Sequence, residues 1–307
     1  MSVFGGKIMR KSSVLFVILL FSFLFAVPSF AAAPVKIKFV QSIYDDDKGT
    51  GLKYPEGVAC TDEYFIVADT GNNRLVKYTY QDKIVKAAEF DMPVTAPIVA
   101  QVNSKGEIYA LDERDRRILI LNADGTEKGY LSPKGSPVAR KMVPRSFKID
   151  RNDRIYILDI FEGLVLVLDP AGNYLRHIQF PEQFGFFSDL AVDKQGTVYL
   201  VDSTEAAVYS AAPNVDQFAP LTKGMKEYMN YPTHIALDSS GIIYLVDKHG
   251  GSLVLIGRDG SFLGHKFGYG WRESEFYYPA QICISPGGNI FVADSNNSRV
   301  QMFTTVE

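Results

Sequence analysis

The amino-acid sequence predicts an all-β fold: a six-bladed β-propeller of four-stranded antiparallel blades, closed by an N-terminal strand that completes the last blade. Three observations carry this. One phrase recurs six times at a period in the forties. Each copy divides into four short strand-like runs. An unmatched strand near the start of the chain answers a missing one at the end.

Residues 1–31 stand apart from the repeats. Lys7, Arg10 and Lys11 form a basic start, Ser13 to Val27 is an uninterrupted apolar run, and Pro28 is followed by Ser29-Phe30-Ala31. This is the pattern of a secretory signal peptide. Cleavage is expected after Ala31, because a cut after Ala33 would put Pro34 beside the broken bond. The expected organisation is a signal peptide at 1–31 and a propeller domain over 34–307, with an exported, periplasmic or extracellular product. An uncleaved anchor is the alternative, but the run falls short of the ~20 apolar residues a span needs. No stable membrane span is expected after cleavage.

The chain is 47% hydrophobic and 22% charged over 307 residues, which supplies a large core. Three positive and no negative side chains leave with the leader, taking the formal charge from −3 to about −6. An acidic chain with no clustered basic face argues against nucleic acid as a partner. Cys60, Cys283 and the four histidines have no zinc spacing. Two thiols buried in strands are expected, with one disulfide arithmetically possible in an exported chain.

Aligned on its aspartate, the recurring phrase ends at Asp69 (YFIVAD), Asp112 (EIYALD), Asp159 (RIYILD), Asp202 (TVYLVD), Asp247 (IIYLVD) and Asp294 (NIFVAD). The intervals are 43, 47, 43, 45 and 47 residues. In each unit a small-residue strand such as EGVAC, DLAVD or HIALD comes first, then a tight turn such as SKG, KQG or PGG. The aromatic and β-branched phrase is the second strand. RLVKY, RILIL, LVLVL or RVQMF is the third, and turns such as NADGT or DPAGN carry hairpin chemistry into a polar fourth. No helical period competes. The last unit stops at Glu307 after its third strand, while residues 34–43 (PVKIKFVQSI) form a strand without a blade. Pairing the two leaves the ring without a free edge.

These units resemble NHL repeats. YPEGVACTDEYFIVADTGNNRLVKY and FGYGWRESEFYYPAQICISPGGNIFVADSNNSRVQMF carry that family's Pro-led opening, IYVAD-like strand, TGNNR-like turn and RV-F strand. The resemblance spans residues 34–307 and is strongest in the first and last units. It implies six blades and, commonly, a binding platform.

Six copies of one aspartate around a ring cannot share an active site, so the repeat Asp is read as structural, accepting N–H bonds from the turn that follows. Arg stands five residues on in three units: Asp69 with Arg74, Asp112 with Arg117 and Asp294 with Arg299. Each pair can meet across its hairpin.

Strand alternation puts the openings of the first strands, the second-to-third turns and the long interblade loops on one face. The residues opening the first strands then surround the channel mouth. Glu56, Arg145, Asp189, His234 and Gln281 are the ligand-binding candidates there, since convergent polar groups in a concavity suit a ligand. A rim solvated by channel water is the alternative. Aromatic loops on this face, FGYGWRESEFYYP (267–279), FPEQFGFF (180–187) and YMNYP (228–232), suit protein or glycan contact. Asp45, Asp46 and Asp47 lack EF-hand spacing and read as a solvated acidic loop.

The functional expectation is an exported, monomeric scaffold binding a protein or small ligand on this face, with a protein or glycan partner in the cell envelope or medium. No catalytic residue, metal ligand or cofactor is assigned. The alternative is a channel enzyme: the resemblance extends to peptide-amidating lyases and gluconolactonase-like hydrolases, which would imply a channel Zn or Ca ion. Of the histidines only His234 opens a first strand; His177 and His265 fall on fourth strands and His249 in a turn.

Overall fold

The computed structural model describes residues 35–90, 94–137 and 142–306, so the signal peptide expected at 1–31 lies outside the described residues. Residues 34–307 form one compact unit. It contains six sheets of four antiparallel strands, each blade running outward from its innermost strand. The innermost strands are Gly57–Cys60, Pro97–Val102, Pro144–Ile149, Phe187–Val192, Pro232–Leu237 and Ile282–Ile284, in blades one to six. The phrase ending in the repeat Asp forms the second strand of every blade, from Tyr64–Asp69 in blade one to Asn289–Asp294 in blade six.

The second and third strands are sandwiched between neighbouring blades. That is why they read as continuous apolar runs rather than as alternation: Ile155–Asp159 and Leu164–Leu168 are buried throughout. Six hydrophobic clusters result, one at each blade-to-blade interface.

The ring closes through the N-terminal strand. Lys36–Ile43 lies antiparallel on Arg299–Val306 as the outer strand of blade six, with Lys36 opposite Val306 and Ile43 opposite Val300. The seam with blade one is held further by aromatic stacking, Phe65 on Phe291 at 4.4 Å between centroids and Tyr80 edge-on to Phe291 at 5.1 Å. Cys60 and Cys283 are joined in a disulfide across it. The expectation of two separate thiols is thereby corrected. Side chains on a strand alternate faces, and Cys283 looks forward to blade one from the level at which Cys60 looks back to blade six.

The fourth residue after each repeat Asp has a left-handed backbone in all six blades: Asn73, Arg116, Gly163, Ala206, Gly251 and Ser298, with φ between 49° and 70°. Only two are glycines, so the turn imposes this conformation on residues for which it is costly.

Candidate functional site

The repeat Asp does more than the following turn requires. In blades two, three and four it accepts N–H bonds from that turn: Asp112 from Arg114 and Asp115, Asp159 from Phe161 and Glu162, and Asp202 from Thr204 and Glu205. In all six blades it also accepts a backbone N–H from sixteen or seventeen residues upstream, in the loop leading to the innermost strand. The donors include Lys53 to Asp69, Thr95 to Asp112, Val143 to Asp159, Gly185 to Asp202, Asn230 to Asp247 and Tyr277 to Asp294. The repeat Asp therefore anchors the loops that build the channel mouth.

The Arg partners divide. Arg74 Nε donates to Asp69 and Arg299 Nε to Asp294, each at 2.7 Å and buried. Arg117 lies opposite Asp112 in the strand register but is exposed, with its guanidinium 3.6 Å from the Tyr130 ring centroid. No ion pair joins it to Asp112 among the described residues. Asp112 instead takes the Thr95 hydroxyl at 2.9 Å.

Arg74 reaches on to Asp46 Oδ2 at 2.6 Å and the Thr50 carbonyl at 3.1 Å. Asp46 is buried, not solvated as the acidic run suggests. Burial alone would raise its carboxyl; bonds from Thr50, Arg74 and Lys48 outweigh this and hold it below the ordinary value.

The five mouth candidates fall at two levels. In blades two to five the innermost strand breaks register after its first residue. Arg145 is the extra residue of blade three, and Glu56 occupies the matching place in blade one. Asp189, His234 and Gln281 come one residue later. Asp189 and Gln281 span blades. Ser146 Oγ donates to Asp189 Oδ1, and Ile235 N–H to Oδ2 at 3.1 Å, linking blades three, four and five. Gln281 Oε1 accepts from Val58 N–H at 2.7 Å, linking blade six to blade one. Removal from solvent pushes His234 down to about 4; Asp189 opposes this, while Arg145, Lys148 and Lys248 add to it. The Arg145 guanidinium lies 5.7 Å from the Phe186 ring centroid.

Around these polar residues the structure places a collar of rings. One position equivalent by register, at the entry to the innermost strand, is aromatic in four blades: Tyr54, Phe186, Tyr231 and Tyr278. Tyr54 and Tyr278 precede prolines yet have φ of 46° and 51°, a conformation disfavoured before proline. Tyr231 stacks on His249 at 4.8 Å, and Tyr278 meets His249 edge-on at 5.8 Å. Tyr269 continues the row, 5.3 Å from Tyr277. Tyr269 is 51% exposed, Tyr54 50% and Trp271 74%.

The loop bearing Trp271 is tied down from beneath. Arg299 Nη2 donates to the carbonyls of Arg272 and Glu275, Gln301 Nε2 to Glu275, and Asn297 Nδ2 to Gly270. The loop sequences already pointed to Trp271 and Tyr278. Tyr54 and His249 were missed, because their place in the collar follows from strand register and not from local composition.

Comparison with known proteins agrees with this architecture. Residues 276–303 match the family model of the NHL repeat. A gluconolactonase from Xanthomonas campestris superposes with a TM-score of 0.66 at 15% identity, over 89% of this chain and 95% of that one. The virginiamycin B lyase from Staphylococcus aureus superposes with a TM-score of 0.60 at 14% identity, over 89% of this chain and 100% of that one. The WD40 propeller domain of Doa1 gives 0.58 at 9% identity, over 88% and 97%. At these identities the likeness establishes the fold alone.

Proposed function

We propose that this NHL-repeat six-bladed β-propeller is an exported binding scaffold that takes a protein or glycan partner on its loop-rich face. The observation that carries the reading is the collar: four aromatic residues at equivalent positions around the mouth, two held in disfavoured backbone conformations, beside a largely exposed Trp271 on a braced loop. Rigid rings that need little ordering on contact suit recognition of sugar faces and protein side chains. Export is supported by the apolar leader sequence and by the disulfide, which persists in oxidising compartments.

The enzymatic alternative rests on the likeness to lyase and lactonase folds. The channel donor set fits a divalent cation poorly. No group of three His, Cys, Asp or Glu side chains converges among the described residues, both Asp189 oxygens are occupied, and His234 sits in the field of three cations.

The test is a glycan array and a cross-linked capture from the envelope and secreted fractions, run with wild type and with a Tyr54→Ala/Trp271→Ala/Tyr278→Ala variant. A partner retained by wild type and weakened about tenfold or more by the variant, at unchanged melting temperature, supports the scaffold. Equal retention by the variant overturns it.

A further inference from the structure

The innermost strands end around a cavity of about 220 Å³ to which all six blades contribute. Val102, Ile149, Val192, Leu237 and Ile284 give it apolar walls, and the Cys60–Cys283 disulfide lies on its lining. Two polar side chains reach it from adjacent blades, Gln101 and Lys148. Lys148 makes no ion pair among the described residues. Lys148 is half-buried, and an anion beside an ammonium bordered by apolar walls is attracted more strongly than in open water.

Nearer the mouth, Arg145 Nε and Gln281 Nε2 are buried without a hydrogen-bond partner. Both are donors, and Gln281 is fully buried. The one carboxylate among the innermost strands' buried side chains, Asp189, has both oxygens occupied. The two buried unmatched groups on the channel-lining segments are thus donors, and the unmatched acceptor Asp159 Oδ2 lies on the second strand of blade three, inside a chain whose net charge is −3.

We propose that the channel is a binding site for a small organic carboxylate with a hydrocarbon tail, its anionic end on Lys148 and Gln101 and its tail against the apolar walls. One ammonium and one carboxamide match a single negative charge. A phosphate would bring more charge and nothing to cover the walls. This site is separate from the collar and does not depend on the scaffold reading.

The experiment is calorimetric titration of the whole exported chain at low salt, where chloride competes least. The probes are sodium butyrate, butyramide as its neutral counterpart, and inorganic phosphate. Butyrate is expected to bind one per chain, with butyramide and phosphate at least about tenfold weaker. Lys148→Met should remove butyrate binding while leaving the melting temperature unchanged, since Lys148 is half-buried and makes no ion pair among the described residues. Gln101→Leu, a second variant with no charge change, should weaken butyrate severalfold. Four outcomes overturn the site: equal affinity for butyrate and butyramide, tighter binding of phosphate, no butyrate binding up to about 20 mM, or an unchanged Lys148→Met. The collar variant should leave butyrate affinity alone, so failure of the scaffold reading and failure of this site are read separately.

Discussion

Cys60 and Cys283 are bonded across the seam between the first and last blades, 223 residues apart in sequence and 5.9 Å apart at their Cα atoms. Across that seam run the Phe65–Phe291 stack and the Gln281–Val58 hydrogen bond, and the N-terminal strand that leads into blade one is paired within blade six. A ring with no other covalent closure opens most readily where first meets last.

Cys60→Ser/Cys283→Ser should therefore destabilise the protein by about 3–5 kcal/mol, the range for a long closed loop. Urea unfolding of wild type with and without reductant, and of the double variant, checks this. A midpoint unmoved by reduction would place the ring's closure in the strand pairing alone.

Asp294 and Arg299 lock a loop as well as each other. Removing Asp294 leaves Arg299 buried and uncompensated, so Asp294→Ala should cost about 3–5 kcal/mol, and Asp294→Ala/Arg299→Met should recover part of it. Arg117→Ala in blade two removes an exposed side chain that makes no ion pair among the described residues and should cost under about 1 kcal/mol. Denaturant midpoints of the four proteins test the contrast, and equal costs in the two blades would refute it.

His234 makes stability depend on pH. Its pKa is about 4 in the fold, against an ordinary value of 6.5. Between these values the unfolded chain binds a proton that the fold refuses. The contribution is complete above the unfolded value and is lost as pH falls from about 6.5 to about 4, roughly 3 kcal/mol in all. Comparing melting temperatures of wild type and His234→Gln at pH 7 and pH 4.5 measures it. The variant should lose less on acidification; parallel losses would exclude His234.

Much of the architecture was legible in the sequence, because a ring repeats its instructions. Six copies of one phrase reveal six blades, and the orphan strand at residues 34–43 reveals the closure. What stayed hidden depends on register between distant strands. The repeat Asp bonds a loop sixteen or seventeen residues upstream across variable sequence. Arg117 occupies the same motif position as Arg74 and Arg299, yet stacks on Tyr130 while Asp112 takes the Thr95 hydroxyl. Arg145 and Asp189 read as one ring, but the bulge after the first strand residue sets them at different levels. Lys148 drew no notice in a strand of unremarkable composition, and only the convergence of six blades gives it a cavity.

Because Lys36 and Val306 lie side by side on the outer strands of blade six, the polypeptide meets its surroundings at a single point on the circumference. A fusion joined directly at Lys36 or Val306 would start from that rim, far from the innermost strand of the blade, as a wheel is held by its tyre.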